Sequence, residues 1–401
     1  MQCIVPERSV SLAEAEAKID AQLRENAVRI SLERFGAPLS STVATLDSDE
    51  FNESCRGCGK GYEDEARVGA KFEAYEHQYS LQYFRAACEL MPFPEVAAQP
   101  ALAQMLPVRI LARNNPTQLG TIRFDAEESL PTLHYPAFLI DYKYPSNRLG
   151  GDDADYQLGK RYSCGTGLAA GVGYVEAAIH AVSEVIERHG VGCFMAQHFF
   201  YSAQQAVRVV APDSLPDDAA QVLHDAESCL NSRIQLIDAT STIDCPVYIA
   251  RCQERNIAGV HVMGAGCSIY SSHAATRAIK ELVQHHRIAE SVEWVRDEWR
   301  RHMLHLSPMP RLQESLAADL DSRPGIRMTE VSLPADPPSL PLAAQLTSLK
   351  DRCGTAGLPI WSKELHTAEL GVSLACAAMP KMERFSIVSL GNYVVPTYRY
   401  I

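Results

Sequence analysis

Three segments of this chain carry one pattern: Ala, three residues, Ala, two residues, Glu, two more, then Glu or Gln followed by His or Arg. Each copy stands after a Gly-x-Gly. The first is Ala66, Ala70, Glu73, Glu76 and His77 after Gly59-Lys60-Gly61, and the second is Ala177, Ala181, Glu184, Glu187 and Arg188 after Gly171-Val172-Gly173. The third is Ala274, Ala278, Glu281, Gln284 and His285 after Gly264-Ala265-Gly266, with a few more residues between glycine and helix. At about 100° per residue, small residues and acids in this spacing fall on different sides of a helix. In the second copy Glu176, His180, Glu184 and Glu187 share a narrow stripe, while Ala178, Ile179, Ala181, Val182, Val185 and Ile186 cover most of the opposite arc. One face packs and the other presents carboxylates.

An ordinary amphipathic helix with local pairs, such as Glu184 with Arg188 or Arg277 with Glu281, accounts for any single copy. It does not account for three copies that agree at five positions and follow glycines, and together these point to one shared site. Carboxylates converging from separate helices suit hard cations, and a triphosphate reaches such ligands through Mg2+. Glycine turns leading into helix N-termini supply backbone N–H groups to phosphate. The residues therefore indicate a nucleotide rather than a bare metal. A Walker A loop is excluded, because Gly57-Cys58-Gly59-Lys60-Gly61-Tyr62 has no Ser or Thr after the lysine.

The 401 residues are 46 % hydrophobic, enough for one large or two ordinary domains with real cores. A formal charge of −12 argues against nucleic acid and against anionic membrane surfaces as partners. The start lacks a secretory signal and no apolar run reaches spanning length, so a cytoplasmic protein is expected. Twelve cysteines, from Cys3 to Cys376, follow no framework and read as buried thiols.

Residues Ser11 to Ala27 predict an amphipathic helix behind a serine cap. Loops are expected over 144–156, 211–218 and 333–342, and strands at Val247 to Ala250 and Phe385 to Leu390. The expected class is α/β in the mixed α+β sense. Residues 1–50 are read as an N-terminal helical segment packed on the main body, and 51–401 as the catalytic domain.

At these motifs the chain resembles the YcaO family, whose segments include a Gly-Lys-Gly turn with an ExxER-like helix, a glycine-rich turn with a second ExxER, and RAxxExxQ. The matching residues run in order: Gly59-Lys60-Gly61 with Glu73 and Glu76; Gly165 to Gly171 with Glu176, Glu184, Glu187 and Arg188; then Arg277, Glu281 and Gln284. The resemblance implies mixed β-sheets with packed helices around an ATP site. It also implies that Glu73, Glu76, Glu176, Glu184, Glu187 and Glu281 surround ATP and its Mg2+ ions, Arg188 and Arg277 contact phosphates, and Lys60 and Gln284 assist. Of these, Glu73, Glu76, Glu184, Glu187 and Glu281 are the expected Mg2+ ligands. His77, Gly69 and Val172 depart from the usual Arg, Ser and Asn.

By the same resemblance, a nucleophile adds to a peptide carbonyl and the γ-phosphate of ATP then passes to the amide oxygen, which leaves as phosphate. Cyclodehydration of Cys, Ser or Thr to thiazoline or oxazoline is the leading product, with thioamide formation from an external sulfur donor as the alternative. An inactive scaffold is a second alternative. Many ring-forming relatives end in a PxPxP tail, of which only Pro396 is present here. A peptide substrate and a separate leader-peptide-binding or TfuA-like protein are the expected partners, a homodimer being compatible with either.

Smaller signals are weighed beside these. Cys55 and Cys58 form a CxxC that reads as a loop position, or as a zinc half-site, redox pair or sulfur relay. His285 and His286 read as polar helix surface, or as a general base. Residues 146–156 form either a surface loop or a lid.

Overall fold

The computed structural model describes residues 6–51, 53–127, 130–201, 205–253, 256–323 and 325–397. Cys3 and residues 398–401 lie outside them.

Ser11 caps α1 (Leu12–Glu25) in a capping box with Glu14, as the serine-led spacing predicts. β1 (Arg29–Phe35), β2 (Ser40–Asp47) and β3 (Cys55–Gly61) follow as an antiparallel sheet, and α2 (Glu63–Ala86) packs back on it. Among the described residues, the segment expected to be helical over 1–50 is thus helical only in α1. Thr42, Val43 and Thr45 favour an extended strand, and β2 pairs with β3 across the expected boundary at residue 50. Ile19 and Leu23 of α1 share a core with Ala70 and Tyr75 of α2.

Next come β4 (Cys88–Pro92), two short helices α3 (Phe93–Ala98) and α4 (Leu106–Leu111), β5 (Gln118–Phe124) and β6 (Leu133–Pro136), the strands forming a second sheet. β7 (Leu168–Val172) leads into α5 (Tyr174–Met195), which is buried along most of its length. After β8 (Val207–Val210), α6 (Asp217–Leu230), β9 (Ile234–Asp238), β10 (Val247–Cys252) and β11 (Met263–Cys267), the chain enters α7 (Ser271–Ser291). It continues through α8 (Glu293–Leu306), α9 (Pro310–Ala317), β12 (Met328–Val331), α10 (Leu342–Thr355), β13 (Trp361–Thr367) and β14 (Val372–Ala378).

One sheet has the order β11-β10-β9-β8-β12, with only the β8–β12 pair parallel; another has the order β13-β14-β7. The mixed class expected from the sequence is observed. The run Phe385–Leu390, expected as a strand, is instead a 3-10 turn. The Glu383 carboxylate accepts from the Phe385 amide at 2.9 Å and Ser389 Oγ donates to the Ser386 carbonyl at 2.8 Å, so local side-chain bonds hold the backbone off any ladder.

Three strand–helix pairs, β3–α2, β7–α5 and β11–α7, contain the three copies of the repeat. Their glycines do not all make turns. A Cβ on Gly59 would lie 1.8 Å from the Ala66 carbonyl oxygen, and one on Gly266 would lie 2.2 Å from that of Ala274. Gly57 and Gly264 approach α2 and α7 in the same way, so Gly57-x-Gly59 corresponds to Gly264-x-Gly266 and the apparent difference in spacing shrinks to one residue. The small residues exist because each helix lies directly on its strand.

Candidate nucleotide and metal site

Three stripes of polar residues, from α2, α5 and α7, face one cavity of about 1270 Å³, edged by β3 and residues 8–16. Every residue expected at the site lines it: Lys60 from β3; Glu73 and Glu76 from α2; Glu176, Glu184, Glu187 and Arg188 from α5; Arg277, Glu281 and Gln284 from α7. His180, His273, Lys280, His285 and Cys164 join them.

Strand alternation explains how β3 serves two helices. Gly57 and Gly59 face α2, so Lys60 and Cys58 face α7. Lys60 Nζ pairs with Glu281, and Gln284 Nε2 donates to the Cys58 carbonyl at 2.5 Å. Glu76 accepts from the Ala170 amide at 3.0 Å and Glu184 from the Gly167 amide at 3.2 Å, which ties both acids to β7 and the turn before it. His77 Nδ1 lies 2.7 Å from the Arg56 carbonyl and its Nε2 3.9 Å from Glu73.

The charges are unevenly distributed. Burial raises the pKa of Glu73, Glu76 and Glu187; for Glu76 the neighbouring Glu184 and Glu73 add to it. Burial likewise lifts Glu184 to about 7, although Arg188 and the Gly167 amide oppose it. Glu281 is the opposite case: burial would raise it, but Lys60, His285 and Arg188 outweigh that and hold it at about 2. Burial also keeps His180 neutral, its pKa lowered to about 3, with Arg277 and Arg8 reinforcing the effect.

The profile of the family described as YcaO cyclodehydratase, ATP- and Mg2+-binding, matches residues 58–383. The chain belongs to the YcaO family. Among solved structures, YcaO from Methanopyrus kandleri bound with AMPPCP and Mg2+ is similar over 95 % of this chain and 93 % of that one, with 20 % identity and a TM-score of 0.65. A heterocyclase in complex with substrate and cofactor matches 94 % of this chain and 52 % of its own, at 14 % identity and a TM-score of 0.62. The E. coli microcin synthetase McbBCD complex with pro-MccB17 bound matches 89 % and 88 %, at 13 % identity and a TM-score of 0.56. No curated protein matches.

The residues of this YcaO chain fit the family's cofactors, ATP and Mg2+. Glu73, Glu76, Glu184 and Glu187 are all pushed toward protonation, as expected of clustered, partly desolvated acids, and a divalent cation relieves this. One expectation changes. The glycines of β3 and β11 face helices, and the Tyr62 and Ser272 amides at the starts of α2 and α7 already donate to Glu65 and Asp336. Gln284 uses one amide N–H on β3 while lining the cavity.

The smaller signals are also placed. Cys55 and Cys58 lie within a strand, not a loop, and both line the cavity; the described cysteines are free thiols. His285 lines the cavity with Nδ1 2.8 Å from the Met263 carbonyl, whereas His286 is fully buried, so neither is plain helix surface. The loop over 146–156 does not border the cavity. Asp152 accepts from Tyr144, Tyr156 and the Gly120 amide, and Asp153 from the Thr117 and Gln118 amides, which fastens the loop to β5.

Sequence reasoning missed Glu7, Arg8 and Ser9. Arg8 lies 3.1 Å from Glu176, and the Ser9 amide and hydroxyl donate to it at 2.8 Å. A charged, polar trio just ahead of a capped helix was the only available signal, since no periodicity links it to α5 or α7.

Proposed function

We propose that the cavity holds ATP with Mg2+ and that the chain uses it to activate a backbone amide of a ribosomally made peptide, closing Cys, Ser or Thr onto the preceding carbonyl as an azoline. The observation that carries this reading is the cluster of four carboxylates on α2 and α5, Glu187 buried and Glu73, Glu76 and Glu184 partly buried, whose pKa values desolvation and neighbouring acids push up, facing Lys60, Arg188 and Arg277 across one cavity. Bound ATP supplies the phosphoryl group that converts the amide oxygen into a leaving group.

Under this reading Glu73, Glu76, Glu184 and Glu187 hold the metal, Glu176 completes the acidic wall, and Arg188 and Arg277 balance phosphate charge. Lys60 and Glu281 form a neutral pair beside them, and Gln284 keeps β3 in register. Two of the similar structures contain a bound substrate or precursor, and one is a multi-protein complex, which supports a peptide substrate presented by a separate partner protein.

Calorimetry with Mg·ATP tests the site. Wild type is expected to bind, and Glu184→Gln or Glu187→Gln to lose about 100-fold or more in affinity, roughly 2.7 kcal/mol. Unaltered binding in both variants rejects the assignment. Mass spectrometry of a treated precursor then reads the product, since azoline formation loses one water and thioamide formation exchanges oxygen for sulfur.

A further inference from the structure

Arg277 and Glu176, two residues assigned above to the nucleotide, are both engaged by the chain's own N-terminal segment. Glu7 Oε2 lies 3.3 Å from Arg277 Nη1 and 3.6 Å from His273 Nε2, and Ser268 Oγ donates to Oε1. These partners sit just before and along the first turns of α7, a 21-residue helix whose N-terminal end favours negative charge. From there the chain crosses to α5, where Arg8 and Ser9 bind Glu176 and Ser9 Oγ also donates to the Val172 carbonyl at 3.0 Å. Residues 7–9 thus form a strap along the cavity edge.

Glu7 is held there against its backbone preference. Its φ is +67°, in the left-handed region that a non-glycine residue occupies only when its surroundings compel it, and it is 6 % exposed. Although burial disfavours its charge, His273, Arg277 and Ser268 hold the carboxylate at about 2, so it is an anion at neutral pH. A guanidinium, an imidazole and a hydroxyl gathered around one anion are equally suited to a phosphate oxygen.

We propose that Glu7 is an internal competitor for the phosphate end of the cavity: its carboxylate fills the anion site of Ser268, His273 and Arg277, and Mg·ATP binds fully only when Glu7 leaves. The proposal rests on the nucleotide reading above. A site occupied by its own chain binds an outside ligand more weakly, in proportion to the fraction of molecules in which it is open.

The test titrates the full chain, as wild type, Glu7→Gly and Glu7→Gln, with Mg·ATP and separately with inorganic pyrophosphate. Glycine accepts the positive φ and glutamine keeps the side-chain size, so folding, checked by melting temperature, is separable from charge. Both variants are expected to bind both ligands at least about tenfold more tightly than wild type. Equal affinity overturns the competition, and weaker affinity overturns it by making Glu7 part of the binding site. If Mg·ATP binds none of the three while pyrophosphate still favours the variants, the competition stands and the nucleotide reading falls. If neither ligand binds any of them, both fall.

Discussion

Helices α2 and α7 are built alike, but their acids are held in different charge states. Each lies on its own strand through a Gly-x-Gly and a ladder of alanines, Gly57 and Gly59 beneath Ala66, Ala70 and Ala74, and Gly264 and Gly266 beneath Ala274 and Ala278. Yet Glu281 on α7 is held at about 2, whereas burial drives Glu73 and Glu76 on α2 upward. The difference lies in the facing element. Alternation along β3 turns its glycines toward α2 and Lys60 toward α7, so one strand gives α2 close packing and α7 a cation. A shared local pattern therefore fixes the packing of a helix but not the charge state of its acids, which depends on neighbours from elsewhere in the chain.

The mechanical half of this comparison is the easiest to break. Gly59→Ala and Gly266→Ala each place a methyl group against helix backbone and are expected to cost about 3 kcal/mol, measured by urea unfolding. Similar losses would show that the two walls are equivalent supports; a neutral result in either would end the equivalence.

The electrostatic half predicts effects of opposite sign. Without Mg2+, Glu281→Gln leaves Lys60 without its ion-pair partner and should lower stability by about 1–2 kcal/mol. Glu76→Gln removes an acid crowded by Glu184 and Glu73, so the metal-free melting temperature should hold or rise while Mg·ATP affinity falls. Losses of stability in both variants would show that the walls do not differ in charge balance.

A smaller effect is expected with pH. Glu184, raised from 4.5 to about 7, binds its proton more tightly in the folded chain, so its stabilising contribution is present below pH 4.5 and is lost as pH rises through about 7. Glu281, lowered to about 2, behaves in reverse: its contribution is present above pH 4.5 and is lost as pH falls toward 2. Between pH 5 and 8 the metal-free melting temperature should fall by a few degrees, and the stabilisation given by Mg2+ should grow. A Mg2+ effect independent of pH would place the ion away from Glu184.

The sequence by itself determined the three helices, their acidic faces and the family, because helical period and residue type are local properties and the same pattern occurs three times. It also determined which ten residues to examine, and all ten line one cavity. Only the tertiary structure decided that the repeat's Gly and Ala serve backbone contact, that Cys55 and Cys58 sit on a strand beside the cavity, and that Phe385–Leu390 turns instead of extending. It alone brought Glu7 to Arg277 and Lys60 to Glu281. Those partners are hundreds of residues apart in the chain, and the charge of a buried acid is set by whatever cation the fold places within a few ångströms of it.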